Sequence, residues 1–504
     1  MWRSSAALSA GCSPVADTRG RKAASSFLFK LVESLGMQGV SFLVSIVLAR
    51  LLDPSDYGVL TTLTVFTAVS QVFVQSGLNT ALIQKKDVDE TDLSSVFYVS
   101  LGVAAALYAL LYALAPAIGA YFAMPQLAPV LRVLALVLLP GALTSVQNAV
   151  VARQMAFRRL MLASLAATVL SGAVGISMAT AGLGYWALVG QQLTSQLGLA
   201  CLLLAMVKWR PRRLFSWPRV RGLIAFGWKL LASSLLETGY NNLRTAVIGK
   251  RFSQDTLGFY NRGKQFPELM MNAVNGSIQS VMLPVLSEKQ EDVSRMKQMM
   301  RRSVMVSSFL VLPMMAGLAA VAAPLVELLL TEKWLPCVPF LQICCVDFAF
   351  YPIHTANLQA INAMGRSDVF LKLELIKKSY GLIILAVTVF CLDSVLAIAW
   401  GAVASTLLSA VVNAAPNRRL LGYGYLEQMR DVLPSMALAA VMFAAVSALG
   451  RLPLAPLMLL AVQVLVGIAV YGGLALLFRM ESLRYLLDML KRLLGRRAAG
   501  RETV

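Results

Sequence analysis

Apolar runs of roughly 20 residues, the length that crosses a bilayer core as a helix, recur from residue 27 to residue 478. No other feature constrains the fold as strongly. In hydrocarbon a backbone must satisfy its own hydrogen bonds, and a run of this length does so as a helix. Reading between charged or Gly/Pro breaks gives spans near 27–51, 57–79, 93–118, 128–151, 159–181, 184–207, 222–249, 259–285, 303–330, 338–363, 369–391, 394–416, 432–449 and 454–477. A soluble chain of 504 residues needs more polar surface than 14% charged and 58% hydrophobic residues supply. The fold class expected is an all-α polytopic membrane protein with about 14 transmembrane helices.

The formal net charge of +20 does not point to nucleic acid, because the basic residues cluster in alternate short loops. One side carries Arg19, Arg21 and Lys22; Lys85 and Lys86; Arg153, Arg158 and Arg159; and "KWRPRRLFSWPRVR" at 208–221. It continues with Lys289, Arg295, Lys297, Arg301 and Arg302, then Arg366, Arg418 and Arg419, and a basic C-terminal tail. The other side has short turns such as "ATAGLG" and "CLDS", with Lys250, Arg251, Lys333 and Arg451 conspicuous. The positive-inside rule then places both termini in the cytoplasm, which requires an even number of spans. The "LSAGC" ending at Cys12 lacks the apolar stretch of a signal peptide.

A repeat emerges when residues 31–60 are set above 230–260 at an offset of 200. Leu31 meets Leu231, Ser34 meets Ser234, Leu35 meets Leu235, Gly39 meets Gly239, Val47 meets Val247 and Gly58 meets Gly258, while Arg50 and Lys250 end the two spans. Duplicated six-span lobes insert the same way up and are related by an axis along the membrane normal, with a site between them. The expected organisation is a disordered cytoplasmic tail (1–25), an N-lobe (26–207), a basic linker (208–221), a C-lobe (222–417), two appended helices (430–478) and a basic amphipathic tail (479–504) lying on the anionic membrane surface.

Polar stripes interrupt the apolar pattern. In the seventh span Lys229, Ser233, Glu237, Asn241 and Arg244 follow at helical spacing, with Asn242 beside them. The first span repeats this with Lys30, Ser34, Gln38, Ser41 and Ser45, and Glu33 alongside. The second carries Thr64, Thr67, Gln71, Gln75 and Asn79; the eighth carries Gln265, Glu268, Asn272, Asn275 and Gln279, with Arg262 near its start. Such groups are costly in lipid unless they face a partner or a wet cavity. The stripes predict a hydrophilic cavity between lobes, lined by the first, second, seventh and eighth spans. Helix–helix hydrogen bonding also uses Ser, Thr, Asn and Gln, but four stripes with unmatched charges fit it less well. The cations Lys30, Lys229, Arg244 and Arg262 suit a phosphate, and the amides and hydroxyls suit a glycan.

Other residues carry blander readings. His354 shares a face with Asp347, Tyr351 and Asn357, a satisfied interior histidine being favoured over a proton relay. Lys372, Glu374, Lys377 and Lys378 read as an interfacial charge cluster, and the six cysteines as small buried hydrophobes. The chain lacks a GxxxxGK[ST] loop, metal-ligand spacing and a nucleophile–base pair. An enzyme is therefore not expected, nor a resident cofactor, and transport would draw on a gradient, the membrane potential or substrate supply.

The segments "ARLLDPSDYGVLT", "QSGLNTALIQKKDVDETDLSSVFY", "FGWKLLASSLLETGYNNLRTAVIGKRFSQDTLGFYNRGKQF" and "LTEKWLPCVPFLQI" resemble the polysaccharide-transporter branch of the MOP superfamily, which also holds the MATE transporters. The likeness is to Wzx-type flippases, the colanic-acid-exporter-like group above all, over residues 24–425. It implies a bacterial inner-membrane protein that moves undecaprenyl-pyrophosphate-linked oligosaccharide from the cytoplasmic to the periplasmic leaflet by alternating access. Membrane lipids, polymerases and glycosyltransferases of the same pathway are the partners implied, and no nucleic acid. By that resemblance Lys30, Lys229, Arg244 and Arg262 would hold the pyrophosphate, and Gln75, Asn241, Asn242 and Gln279 would face sugar. Glu33 or Glu237 would carry a coupling proton or counter the cations, H+ or Na+ being the candidate coupling ions. A lipid II flippase shares the polyprenyl pyrophosphate and stays open. A multidrug exporter would want an acidic cavity, and a glycan polymerase or ligase a larger outer loop.

Overall fold

The computed structural model describes residues 38–75, 78–85, 87–154, 156–287 and 292–487. Every regular element among them is helical. The first bundle comprises α1 (Gln38–Leu51), α2 (Pro54–Gln75), α3 (Leu78–Gln84), α4 (Glu90–Tyr121), α5 (Leu127–Leu134), α6 (Leu138–Arg153), α7 (Phe157–Thr180) and α8 (Tyr185–Met206). The second comprises α9 (Trp217–Arg251), α10 (Gln254–Ser287), α11 (Val293–Ala320), α12 (Ala322–Leu330), α13 (Val338–Ala349), α14 (Tyr351–Ala363), α15 (Ser367–Cys391) and α16 (Val395–Leu420). Two more, α17 (Tyr425–Leu449) and α18 (Pro456–Leu477), pack on α11.

Ten helical stretches among the described residues are long and apolar enough to cross a membrane. The helices α9, α10 and α15 are as long, at 35, 34 and 25 residues, but carry charges along their length.

Local chemistry sets the boundaries. Asp89 and Asp92 form a reciprocal capping box at the start of α4. Asp292 accepts from the Arg295 N–H, so α11 begins ten residues before the expected 303. Pro218 sits in the first turn of α9, which starts inside the stretch expected to be linker. Pro352 likewise opens α14 and divides what reads in the sequence as one span over 338–363. In the "ATAGLG" turn, Gly182 and Gly184 adopt φ of 76° and 53°, a region that favours glycine.

The segment after α8 is fastened to the first bundle. Ser94 Oγ accepts from the Arg212 N–H and Ser95 Oγ from the Ser216 N–H, at 3.0 and 2.9 Å. The Arg219 guanidinium hydrogen-bonds Asp89 and holds that carboxyl below its ordinary range.

The two bundles interlock along α2 and α10. At Gly58 an added Cβ would lie 2.0 Å from the Gln254 carbonyl oxygen; at Gly258 it would lie 2.2 Å from the Pro54 carbonyl oxygen. The helix starts therefore cross in reciprocal contact, each needing a glycine where the other's backbone passes.

The C-terminal tail departs from expectation where it is described. Helical residues 481–487 place Leu483 and Leu486 against the core cluster of Met296, Met300 and Tyr423. Arg302 lies over the Tyr485 ring at 6.0 Å. Leu483 and Leu486 thus pack on the protein, and the rest of the stripe lies outside the described residues.

Candidate functional site: a polar cavity and a closed end

Polar stripes on α9 and α10 meet α13, α15 and α16 around a cavity of about 290 Å³. Its lining among the described residues comes from the second bundle alone, rather than from α1 and α2 across the lobes as the stripes predict. It extends from Glu374, about two turns into α15, to Ala399, about one turn into α16. Among the described residues eight charged ones line it: Glu237, Glu268, Asp347 and Glu374 against Arg244, Lys264, Lys377 and Lys378. The wall is therefore zwitterionic.

Two of the bases are spoken for. Lys378 Nζ donates to Glu237 Oε2 at 2.7 Å and Lys377 Nζ to Glu374 Oε1 at 2.5 Å. Asn241 Nδ2 donates to the other Glu237 oxygen at 3.0 Å, and Thr406 Oγ1 to Asp347 at 2.5 Å. The other two bases keep donors to spare, although Arg244 also meets the Tyr260 hydroxyl and both act on Asp347. Arg244 Nε is buried with no hydrogen-bond partner, and Lys264 makes no hydrogen bond or ion pair among the described residues. Unpaired donors in a confined polar space are what an incoming anion needs. Asn272, Ser405 and Ser409 add neutral polar groups to the wall.

The end of the molecule opposite the basic loops is shut by cations that cross between bundles. Arg50, in the last turn of α1, donates to the carbonyls of Leu328 and Leu329 (2.8 Å for the latter) at the C-terminus of α12. Lys250, in the last turn of α9, donates to the Tyr121 carbonyl at the end of α4 and lies 4.2 Å from the Tyr121 ring centroid. Each cation meets the orphan carbonyls and negative dipole end of a helix in the other bundle. Trp334 Nε1 donates to the Ala49 carbonyl at 2.8 Å, and Lys333 pairs with Asp53 at 3.4 Å.

Of the ten residues singled out in the sequence, Glu237, Asn241 and Arg244 share the cavity wall. Asn242 instead donates to the Thr238 carbonyl, and Lys229 is exposed on α9, outside the lining. Gln75 donates to Gln71 at 2.6 Å beside Gly141, inside the first bundle. Arg262 is 4% exposed and bridges the bundles. Its guanidinium donates to Ser45 Oγ, the Ser45 carbonyl and Gln265 Oε1, each at 2.6 Å, and lies over the rings of Tyr57 and Trp334. Lys30, Glu33 and the Gln279 side chain lie outside the described residues.

Sequence reading missed Lys264, although the helical spacing Lys264–Glu268–Asn272 could have marked it. It also placed Lys377 and Lys378 at an interface, whereas they reach the cavity through partners on α15 and α9. His354 has an interior partner, Asn413, at 3.1 Å.

A helical bundle with membrane-length apolar elements, a buried polar cavity and one closed end defines a multi-pass membrane transporter. The fold is that of the MOP superfamily. The lipid II flippase MurJ in an inward closed conformation superposes with a TM-score of 0.71 at 14% identity, covering 90% of this chain and 99% of that one. An inward-facing multidrug resistance MATE transporter superposes at 0.57 and 14% identity, covering 79% and 96%. Residues 47–339 match the family described as "Polysaccharide biosynthesis protein", and the chain belongs to it. It is 24% identical over 481 residues to the succinoglycan biosynthesis transport protein ExoT of Rhizobium meliloti, covering 92% of this chain and 94% of that one. It is 25% identical to the teichuronic acid biosynthesis protein TuaB of Bacillus subtilis, over 71% and 73%. It is 24% identical to the lipopolysaccharide biosynthesis protein WzxC of Escherichia coli, over 67% and 69%.

Proposed function

We propose that this chain is a flippase for a polyprenyl-pyrophosphate-linked oligosaccharide, carrying it from the cytoplasmic to the periplasmic leaflet of a bacterial inner membrane. The observation that carries the reading is the cavity itself, with the Arg244 Nε unpaired and Lys264 outside any hydrogen bond or ion pair among the described residues. Lys377 and Lys378 are held by carboxylates, whereas Arg244 and Lys264 keep donors that would grip pyrophosphate. At about 290 Å³ the cavity sits at the small end of ligand pockets. It would hold the pyrophosphate and first sugar, with further sugars between the bundles and the polyprenyl chain in lipid.

Fourteen spans with both termini cytoplasmic would put the closed end on the periplasmic side. The reciprocal crossing at Gly58 and Gly258 supports a parallel duplication at an offset of 200. Two lobes rocking about that crossing would present the cavity alternately to each leaflet. Direction comes only from differential binding to the two states. Glu237 or Asp347 would carry a coupling proton, with Na+ the other candidate ion.

The test is a strain lacking the gene, in which polyprenyl-linked oligosaccharides are isolated and assigned to a leaflet. Cytoplasmic build-up, relieved by wild type but not by Arg244→Ala, is the expected result. Periplasmic build-up would place the protein after translocation and sink the reading.

A further inference from the structure

A second large cavity lies away from the transport site, where α15, α16 and the start of α17 meet at the basic-loop end. Its volume is about 1440 Å³, above the usual range for small-molecule pockets. The helix α15 turns Glu374, Lys377 and Lys378 to the transport cavity and Leu373 and Ile376 to this groove. Val411, Ala415 and Leu426 continue the apolar wall, and Leu426 is 82% exposed.

Charge is concentrated at one end. Arg418 and Arg419, in the last turn of α16, rim the groove and are exposed. Neither makes a hydrogen bond, ion pair or ring contact among the described residues. The nearby acids are already matched: Glu427 pairs with Lys297 at 3.3 Å, and Asp368 with Arg366 at 3.1 Å. Among the described residues nothing neutralises the two arginines. The α17 N-terminus beside them also lacks a side-chain cap.

We propose that this groove is a binding site for one anionic glycerophospholipid, its phosphate on Arg418 and Arg419 and its acyl chains along α15 and α16. A free phosphate would use the arginines but leave the apolar wall to water or bulk lipid. A zwitterionic lipid would fill the wall but leave the charge unanswered. Basic pockets between membrane helices on the cytoplasmic side select anionic head groups for this reason.

The experiment uses the full chain purified in detergent and titrated with cardiolipin, phosphatidylglycerol or phosphatidylcholine, with retained lipid counted by native mass spectrometry. Wild type should hold one more anionic lipid than the Arg418→Gln/Arg419→Gln double variant, whose affinity should fall roughly thirtyfold. Ala415→Trp, which fills the groove and leaves both arginines in place, should lose the same lipid. Cardiolipin should also raise the melting temperature of wild type more than that of either variant. Equal retention by all three proteins overturns the proposal. So does displacement of the bound lipid by undecaprenyl phosphate but not by phosphatidylglycerol, which would assign the groove to the carrier lipid. The readout is binding, so it is independent of whether the transport reading holds.

Discussion

Arg244 and Arg262 are indistinguishable by sequence chemistry, yet one lines the cavity and the other is held between bundles. The Arg262 guanidinium donates from both terminal nitrogens to Ser45 and Gln265 and has its faces covered by Tyr57 and Trp334, its Nε being unpaired. The Arg244 Nε is likewise unpaired, but its side chain lies on the cavity wall beside Tyr260. Removing Arg262 deletes charge-assisted hydrogen bonds worth roughly 1.5–3 kcal/mol each, so Arg262→Ala should lower the melting temperature of the purified protein. Removing Arg244 deletes fewer contacts, so Arg244→Ala should lower the melting temperature less than Arg262→Ala does, while transport falls about ten- to a hundredfold. Thermal melts and leaflet-resolved transport on the same two proteins separate the roles. If Arg244→Ala transports normally, the cavity does not bind the anion. Lys264→Ala should resemble Arg244→Ala. Helical spacing placed both arginines on polar stripes, and that much was legible. What separates them is Ser45, Tyr57 and Trp334, residues from distant segments that periodicity on one helix cannot bring into view.

At the scale of elements, the offset-200 alignment marked Gly39, Gly239, Gly58 and Gly258 alike, but only the second pair sits where helices cross. A Cβ at Gly39 or Gly239 meets nothing within 4 Å, whereas one at Gly58 or Gly258 runs into the opposing backbone. Backbone cannot swing aside as a side chain can, so overpacking there should cost about 1–3 kcal/mol. The strain is relieved if the bundles separate at that end. Gly58→Ala and Gly258→Ala should therefore raise labelling of a cysteine placed at Ser45, while Gly39→Ala and Gly239→Ala should leave it unchanged. Uniform behaviour across the four variants would remove the crossing from the closure. Span positions were legible because hydrocarbon demands long apolar runs. The breaks at Val321 and Phe350 and the early start of α11 were not, because packing and capping of single turns decide them rather than hydropathy. The polar stripes of α2 and α9 look equivalent in sequence, yet Gln71 and Gln75 pair inside the first bundle while Glu237, Asn241 and Arg244 line the cavity.

For the whole molecule the decisive contacts are the few that tie one bundle to the other at a single end. Arg50 and Lys250 each donate to carbonyls at the C-terminus of a helix in the opposite bundle, with the Lys333–Asp53 pair alongside. Each is partly exposed, and exposed ion pairs contribute little individually, about 0–1 kcal/mol. That weakness would suit the proposed rocking, in which this end opens in every cycle: a shift from 1:99 to 99:1 needs only about 5.5 kcal/mol of differential binding. Holding the end shut by a covalent link should then stop transport without touching the cavity. In a cysteine-free background, cysteines at Asp53 and Lys333 joined by a short thiol-cleavable cross-linker should abolish transport, and reduction should restore it. The same cross-linker applied to either single cysteine should have no effect. Full transport by quantitatively cross-linked protein would mean that this end does not open, and that substrate leaves by another route.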